Sequence, residues 1–162
     1  MNSKIQHLIH KLNESFQGTP WFGDSLMPTL KAIDYKLVNK KLTNSNNSIA
    51  ILVQHLINWR VFAIEKLEGN QCFDIELNSE KDWTKITIEN ENEWNELLKE
   101  LISTQRKIIS ILDSQKVDSF LTQITLGKSY NFEYLIEGVL QHDIYHFGQI
   151  GLLYAHLKFE RK

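Results

Sequence analysis

Apolar residues recur at three- and four-residue steps along four long stretches of this chain, and that spacing constrains the fold more than any other feature. It is the spacing of one face of an α-helix. Only two prolines occur in 162 residues, so long helices are permitted. Asn47 or Ser48 is expected to cap the second helix. We predict an all-α fold, an antiparallel four-helix bundle forming one domain over residues 1–162. The helices are expected at about residues 5–16, 48–67, 90–112 and 131–158.

The connections between these stretches are less regular. Residues 25–33 are predicted to form a short extra helix after the first, with Asp24 as its N-cap, and Trp21 is expected to cap the bundle. The polar stretch 39–48 predicts a surface loop in its second half. Residues 70–90 alternate apolar and polar positions in two short runs. That pattern fits a small hairpin and a long structured loop equally well.

The fourth helix is apolar on nearly all sides. One side carries Leu135, Val139, Ile150 and Leu153, and much of the remainder carries Ile136, Leu140, Ile144, Phe147 and Tyr154. A helix that is apolar all round must be buried all round, whereas each helix of a four-helix monomer has one side in water. Gly148 and Gly151 would let another backbone approach closely. We therefore predict a homodimer through the fourth helix. The alternative is that the short helix or the 70–90 segment covers this face.

Charge and cysteine content exclude several classes of protein. Eighteen basic residues against twenty acidic ones give a net charge of −2, without the basic excess of a nucleic-acid binder, so no nucleic-acid partner is expected. The single cysteine, Cys72, cannot form an intramolecular disulfide. No secretory signal is recognisable, and no apolar run approaches the roughly 18 residues of a membrane span. We expect a cytoplasmic protein without a membrane partner.

Three of the six histidines are predicted to point into the core. His142 and His146 stand four residues apart, so their imidazoles project from one face of the fourth helix, one turn apart. Two nitrogens at this spacing can converge on one metal ion. His55 falls within the apolar arc of the second helix. Three histidines plus water make an open site of the catalytic kind, and further open positions admit nickel, iron or manganese. Core histidines hydrogen-bonded to water are the alternative.

The other three histidines do not fit such a site. His156 shares the face of His142 but follows it by fourteen residues, which is roughly 21 Å along a helix. His7 and His10 lie near the N-terminus and are expected at the surface.

Three segments carry a resemblance to a known family. Residues 142–150, His-Asp-Ile-Tyr-His-Phe-Gly-Gln-Ile, resemble the C-terminal signature of the DinB-like superfamily, the DinB and YfiT group. Residues 21–26 resemble the Trp and Gly segment after that family's first helix, and residues 53–59 resemble the helix bearing its first metal histidine. The resemblance implies a bundle of up-down-down-up topology, often dimeric, with a three-histidine site holding zinc or nickel. It also implies that the ligands are His55, His142 and His146.

The expected function is that of a metal-dependent enzyme acting on a small molecule. The superfamily that these segments resemble includes thiol S-transferases and proteins that look like hydrolases or isomerases. The resemblance therefore implies that the metal would activate a low-molecular-weight thiol or water. Asp143, Tyr145 and Gln149 are the candidate catalytic side chains. Asp143 could hydrogen-bond an imidazole or reach into a neighbouring helix, although a solvent or interface carboxylate is its preferred interpretation. Trp59 is expected to pack in the core, with a pocket wall as the alternative. The alternative function is a non-catalytic metal- or ligand-binding dimer in stress response.

Overall fold

The fold consists of α-helices joined by loops and short 3₁₀ turns. The computed structural model describes residues 1–43 and 46–159. Its α-helices are α1 (Ser3–Gln17), α2 (Leu26–Lys31), α3 (Ile49–Leu67), α4 (Glu91–Asp113) and α5 (Phe132–Phe159). None of the described residues forms a β-strand, so the predicted all-α class is confirmed. The antiparallel up-down-down-up order stays a prediction, and the loop predicted late in residues 39–48 lies partly outside the described residues.

The central helix of the bundle is α3. Fourteen of its nineteen residues are buried, and it packs against both α4 and α5. The helix α1 also packs on α4 and α5, and the short α2 packs on α1. Of the surplus face predicted for the fourth helix, Ile136 is buried, Leu140, Phe147 and Tyr154 are half-buried, and Ile144 is exposed. Most of that face is therefore covered within the described chain, and the exposed side of α5 instead carries Tyr134, Tyr145 and Leu152.

Buried polar side chains lie between two apolar clusters along the helices. In α3, Leu56 belongs to one cluster and Phe62 to the other, and Arg60 is buried between them. The buried polar residues between the clusters are Thr104 and Gln105 in α4 and Asp143 and His146 in α5, where the two clusters follow each other in the opposite order. A buried polar group is costly unless it is hydrogen-bonded, so each of these side chains needs a partner within the bundle.

Side-chain caps set the starts of the long helices. Ser48 accepts a hydrogen bond from the Ile51 amide at 3.3 Å and is the N-cap of α3. Asn90 accepts one from the Glu93 amide at 3.0 Å at the start of α4. The Glu93 carboxylate in turn accepts from the Glu89 amide at 2.7 Å. The start predicted near Asn90 is therefore confirmed, and of the two candidates for α3 the cap is Ser48.

Removing the α3 cap is expected to destabilise the fold measurably. In the Ser48→Ala variant the Ile51 amide loses its side-chain acceptor in a buried environment, which costs about 1 kcal/mol of unfolding free energy. Urea denaturation monitored by circular dichroism measures this loss. Ser110→Ala, at an exposed position within α4, is the control and should shift the value by less than about 0.5 kcal/mol. An equal effect of both substitutions would contradict the assignment.

Residues 70–90 form a long structured loop, so the hairpin alternative is wrong. Asparagine side chains, rather than a partner strand, satisfy its backbone. Asn58 of α3 donates to the Lys81 carbonyl at 2.7 Å. Asn39 donates to the Ile88 carbonyl at 2.7 Å and accepts from the Ile88 amide at 3.0 Å. Buried Ile75 and Ile88 attach the loop to the bundle. The loop is thereby held against α3.

Two local predictions around α2 are wrong. Trp21 does not cap the bundle, because its side chain is 100% exposed, whereas the neighbouring Pro20 is buried. The chain turns at this point, with the Gly23 amide donating to the Pro20 carbonyl at 3.1 Å and Gly23 at a φ of 118°, a value that favours glycine. The residue at the N-cap position of α2 is Ser25 rather than Asp24.

Over the two described ranges, no helix combines the length and the apolar character that crossing a membrane requires.

Candidate metal centre

Three imidazoles from two helices converge in the buried polar layer. His55 projects from α3, and His142 and His146 project from consecutive turns of α5. The Nε2 atom of His55 lies 3.1 Å from that of His146 and 3.0 Å from that of His142. His55 and His146 are buried, and His142 is half-buried. One ligand atom from each ring lies within 4.8 Å of the others. The three side chains predicted from spacing are therefore brought together.

The outer nitrogens of two of these rings have partners that fix their tautomers. His55 Nδ1 lies 2.8 Å from the main-chain oxygen of Asp82, and His146 Nδ1 lies 2.8 Å from Gln149 Oε1. Both oxygens can only accept, so each Nδ1 carries the hydrogen and donates it. The Nε2 atoms of His55 and His146 then both present lone pairs, and no hydrogen lies between them. A cation bound at this point would satisfy both, which is the fit expected of a metal site.

Burial keeps the three imidazoles uncharged. It lowers the pKa of His55 and of His146 below the ordinary histidine value. The pKa of His142 falls to about 3, because burial acts first and the nearby His146, His55 and Arg60 add to it. Neutral imidazole is the form that binds metal ions. The cluster is therefore in its ligating form at neutral pH.

Asp82 and Trp83, from the 70–90 loop, hold His55 in place and were not predicted from the sequence. Asp82 Oδ1 lies 3.1 Å from His55 Nδ1 and accepts from Trp59 Nε1 at 2.8 Å, and Oδ2 accepts from the Asn78 amide at 2.7 Å. The Trp83 ring stacks on His55 with centroids 3.8 Å apart and planes at 4°. The one hint in the sequence is that this pair interrupts the alternation of residues 70–90.

Asp143 reaches into the neighbouring helix α3, which was an alternative predicted from the sequence. Its carboxylate is buried and accepts from Arg60 Nε at 3.2 Å and from Arg60 Nη2 at 2.5 Å. Burial raises its pKa, and the Arg60 guanidinium opposes that rise. The prediction of a solvent or interface carboxylate is therefore wrong. Asp143 does not line the cavity beside the histidines, so it also lacks the position of a general base.

Tyr145 and Gln149, the other two candidate catalytic side chains, both contact His146. Gln149 accepts the Nδ1 hydrogen of His146 and therefore orients that ring. Tyr145 is 64% exposed, and its ring centroid lies 4.8 Å from that of His146. Trp59 is half-buried, packs 5.9 Å from His142 and forms part of the cavity wall, which was the alternative interpretation of this residue.

A cavity of about 580 Å³ adjoins the three histidines. Its walls come from α3, from α5 and from the loop residues Leu77, Asp82 and Trp83. The exposed side chains of Leu77, Tyr134 and Tyr145 are among the lining residues, so the cavity is reached from solvent. This volume lies within the usual range of small-molecule sites.

The remaining histidines lie outside the cluster. His7, His10 and His156 are all exposed. This was predicted for His7 and His10, whereas for His156 the sequence predicted only that it lies too far from His142 to join the site. Within the described ranges, the three converging histidines form the one group of metal-ligating side chains close enough to share an ion.

Comparison with known proteins identifies the family of the chain. A family model, described as the DinB superfamily, matches residues 22–150 and so spans most of the chain and all three converging histidines. No curated protein and no solved structure matches the chain. This match covers well over half of the chain and confirms the family that the sequence resemblance implied. The chain belongs to the DinB superfamily.

Proposed function

We propose that His55, His142 and His146 bind one divalent metal ion through their Nε2 atoms. The observation that carries the proposal is the convergence of these atoms, with the Nε2 lone pairs of His55 and His146 directed at each other. A donor set of three neutral imidazoles suits zinc, nickel or iron better than magnesium or calcium. Zinc or nickel is the proposed metal, and iron or manganese is the alternative.

We propose that the site is catalytic and acts on a small molecule. The adjoining cavity gives a substrate access to the Nε2 side of the histidines, and a closed site would have favoured a purely binding role. A metal held by three histidines lowers the pKa of a coordinated water or thiol. The chain itself orients the ligands, through Gln149 on His146 and Asp82 on His55, and the Trp83 ring covers one face of His55.

A thiol is favoured over water as the nucleophile. Metal-assisted hydrolysis ordinarily uses a carboxylate beside the bound water as general base. Among the described residues that line the cavity, the one carboxylate is Asp82. It is buried and lies within hydrogen-bonding distance of His55, Trp59 and the Asn78 amide. This supports thiol S-transfer with a low-molecular-weight thiol, and hydrolysis is the second candidate.

Comparing metal-loaded with metal-free protein tests the catalytic proposal. Reaction of 2-mercaptoethanol with 1-chloro-2,4-dinitrobenzene reports thiol transfer, and 4-nitrophenyl acetate reports hydrolysis. We expect one metal equivalent per chain, acceleration of the thiol reaction, and return to the background rate after chelation. The exposed-site variant His156→Ala is the control and should retain the acceleration. Stoichiometric metal without acceleration of either reaction would instead support the non-catalytic metal-binding alternative.

Gln149 is expected to support metal affinity through His146. In Gln149→Leu the Nδ1 hydrogen of His146 loses its acceptor, and losses of this kind lower metal affinity about 10- to 100-fold. Gln149→Glu keeps an acceptor at that position and should retain wild-type affinity or exceed it. Gln141→Leu, at an exposed position of α5, is the matched control. Competition with a chromophoric chelator measures all four proteins. Equal affinities for wild type and Gln149→Leu would contradict the role of Gln149.

We also propose that two copies of the chain associate through α5. Leu152 is 71% exposed, and added Cβ atoms at Gly148 and Gly151 would meet no atom within 4 Å, so a second helix can approach this surface. Light scattering at micromolar concentration is expected to give the mass of two chains for wild type and of one chain for Leu152→Lys. A wild-type mass near 19.0 kDa would overturn the proposal.

A further inference from the structure

The walls of the cavity point to the chemical class of its occupant. We propose, building on the proposed metal centre, that the cavity takes an uncharged molecule with an aromatic ring or a similarly flat apolar body, with its metal-coordinating group facing the three histidines. Charged parts of a thiol co-substrate would remain outside the cavity in solvent.

Aromatic side chains form most of the cavity wall. Besides the histidines, the lining contains the aromatic residues Trp59, Phe62, Trp83, Tyr130, Tyr134 and Tyr145. Trp59 and Trp83 stand beside the histidines, where Trp83 stacks on His55 and Trp59 packs 5.9 Å from His142. Tyr130 and Tyr134 pair with ring centroids 5.1 Å apart. Aromatic walls bind flat rings by stacking and edge-to-face contacts as well as by burial of apolar surface.

No charged group in the described lining is available to a charged ligand. Neither lysine nor arginine occurs among those lining residues, and the Asp82 carboxylate is already hydrogen-bonded. Two ammonium groups lie near Phe62 but are engaged elsewhere. Lys66 donates to the Gln71 carbonyl at 3.0 Å, and Lys128 donates to both oxygens of Asp74 at 2.7 and 2.8 Å. An anionic group placed in the cavity away from the metal-binding nitrogens would therefore be desolvated without a partner, which is costly.

Gly138 leaves the space beside the ligands open. It lies on α5 one turn before His142 and lines the cavity, and a Cβ added there would meet no atom within 4 Å. Replacing a helical glycine by a residue with a side chain raises helix propensity, so Gly138→Leu fills the cavity without weakening α5. Gln141 lies on the same helix, is exposed, and does not line the cavity. Gln141→Leu adds a leucine outside the cavity and is therefore the matched control.

Three hydroxamates with the same metal-binding group test the proposal on zinc-loaded protein. Acetohydroxamate carries only that group, benzohydroxamate adds a ring, and 4-carboxybenzohydroxamate adds a ring and a charge. Calorimetry is expected to show benzohydroxamate binding at least about tenfold tighter than acetohydroxamate, after correction for their affinities for free zinc, because the ring is buried on aromatic walls. The added carboxylate should cost at least about tenfold.

Two leucine variants distinguish a loss of cavity space from a loss of metal binding. Gly138→Leu is expected to remove the advantage of the ring and to leave the dissociation constant of acetohydroxamate unchanged, whereas Gln141→Leu retains both. The inference on substrate class is overturned if zinc and acetohydroxamate bind but the ring gives no advantage. It is also overturned if the carboxylate is tolerated at full affinity, or if Gly138→Leu leaves the advantage intact.

A measurement on metal-free protein distinguishes this inference from the metal proposal. Benzyl alcohol is expected to change the tryptophan fluorescence of wild type and Gln141→Leu but not of Gly138→Leu, and benzoate should have no effect at equal concentration. If that pattern holds while the protein binds no zinc, the metal proposal fails and the cavity assignment stands. If benzoate acts as strongly as benzyl alcohol, the preference for an uncharged ring is overturned.

Discussion

Replacement of Asp143 by alanine is expected to lower the free energy of unfolding by about 3–5 kcal/mol, because it leaves the Arg60 guanidinium buried without its counter-ion. Arg60 is 1% exposed, and its further contacts are a hydrogen bond to Gln105 Oε1 at 2.8 Å and the Phe16 ring 4.9 Å away. Neither contact supplies a negative charge. The loss should therefore exceed that of an ordinary surface substitution by several fold.

Urea denaturation of the metal-free protein measures this loss independently of the metal proposal. Glu137→Ala, at an exposed position of the same helix, is the control and should change stability by less than about 0.5 kcal/mol. The double variant Arg60→Met/Asp143→Leu removes both charges and is expected to recover most of the loss, since apolar pairs of similar volume often replace buried ion pairs without cost. A loss below about 1 kcal/mol in Asp143→Ala would contradict the importance of the pair.

Replacement of His146 by alanine is expected to abolish stoichiometric metal binding while leaving the metal-free fold intact. The affinity should fall by more than about 100-fold, the upper range for residues that only support a ligand. His146 faces the lone pair of His55 at 3.1 Å, so its removal relieves a repulsion in the metal-free protein. The stability of the metal-free variant should therefore stay within about 1 kcal/mol of wild type.

Thermal denaturation with and without zinc separates the two effects. At a zinc concentration of about 100 times the dissociation constant, wild type should gain about 2.7 kcal/mol of stability, and His146→Ala should gain almost none. His10→Ala, which removes an exposed histidine of α1, should behave as wild type. An undiminished zinc-dependent gain in His146→Ala would show that the metal binds elsewhere.

Much of the fold and the three histidines could be predicted because both depend on helical periodicity. The spacing of apolar residues locates α3, α4 and α5, and four residues separate His142 from His146 on one face. His55 follows from its place in the apolar arc of α3. These predictions require only the geometry of single helices, which is the same in every protein.

The rest could not be predicted because it depends on contacts between segments distant in sequence. Asp82 and Trp83 approach His55 through a loop whose backbone is held by Asn58 and Asn39, and no spacing rule connects these residues. Arg60 lies among the apolar residues of α3, and only the opposing carboxylate on α5 explains why it is buried.

Before α2, the path of the backbone decides which side chains are exposed and which residue is the N-cap, and the residue types alone do not show that path. The exposure of Trp21 follows from the turn between Pro20 and Gly23, which directs the chain away from the bundle at that residue. An aromatic residue two positions before a glycine gives no sign of the side on which such a turn places it. Beyond the turn, Ser25 and not Asp24 occupies the N-cap position of α2.

X-ray absorption spectroscopy of the metal-loaded protein directly tests whether His55, His142 and His146 bind the metal. With one equivalent of zinc or nickel bound, we expect three imidazole nitrogens in the first coordination shell, at about 2.0–2.1 Å for zinc, with oxygen from solvent completing it. His142→Ala should reduce the imidazole count or prevent binding altogether. A shell containing two or fewer imidazoles in wild type, or sulfur from Cys72, would contradict the assignment of His55, His142 and His146 as the metal site.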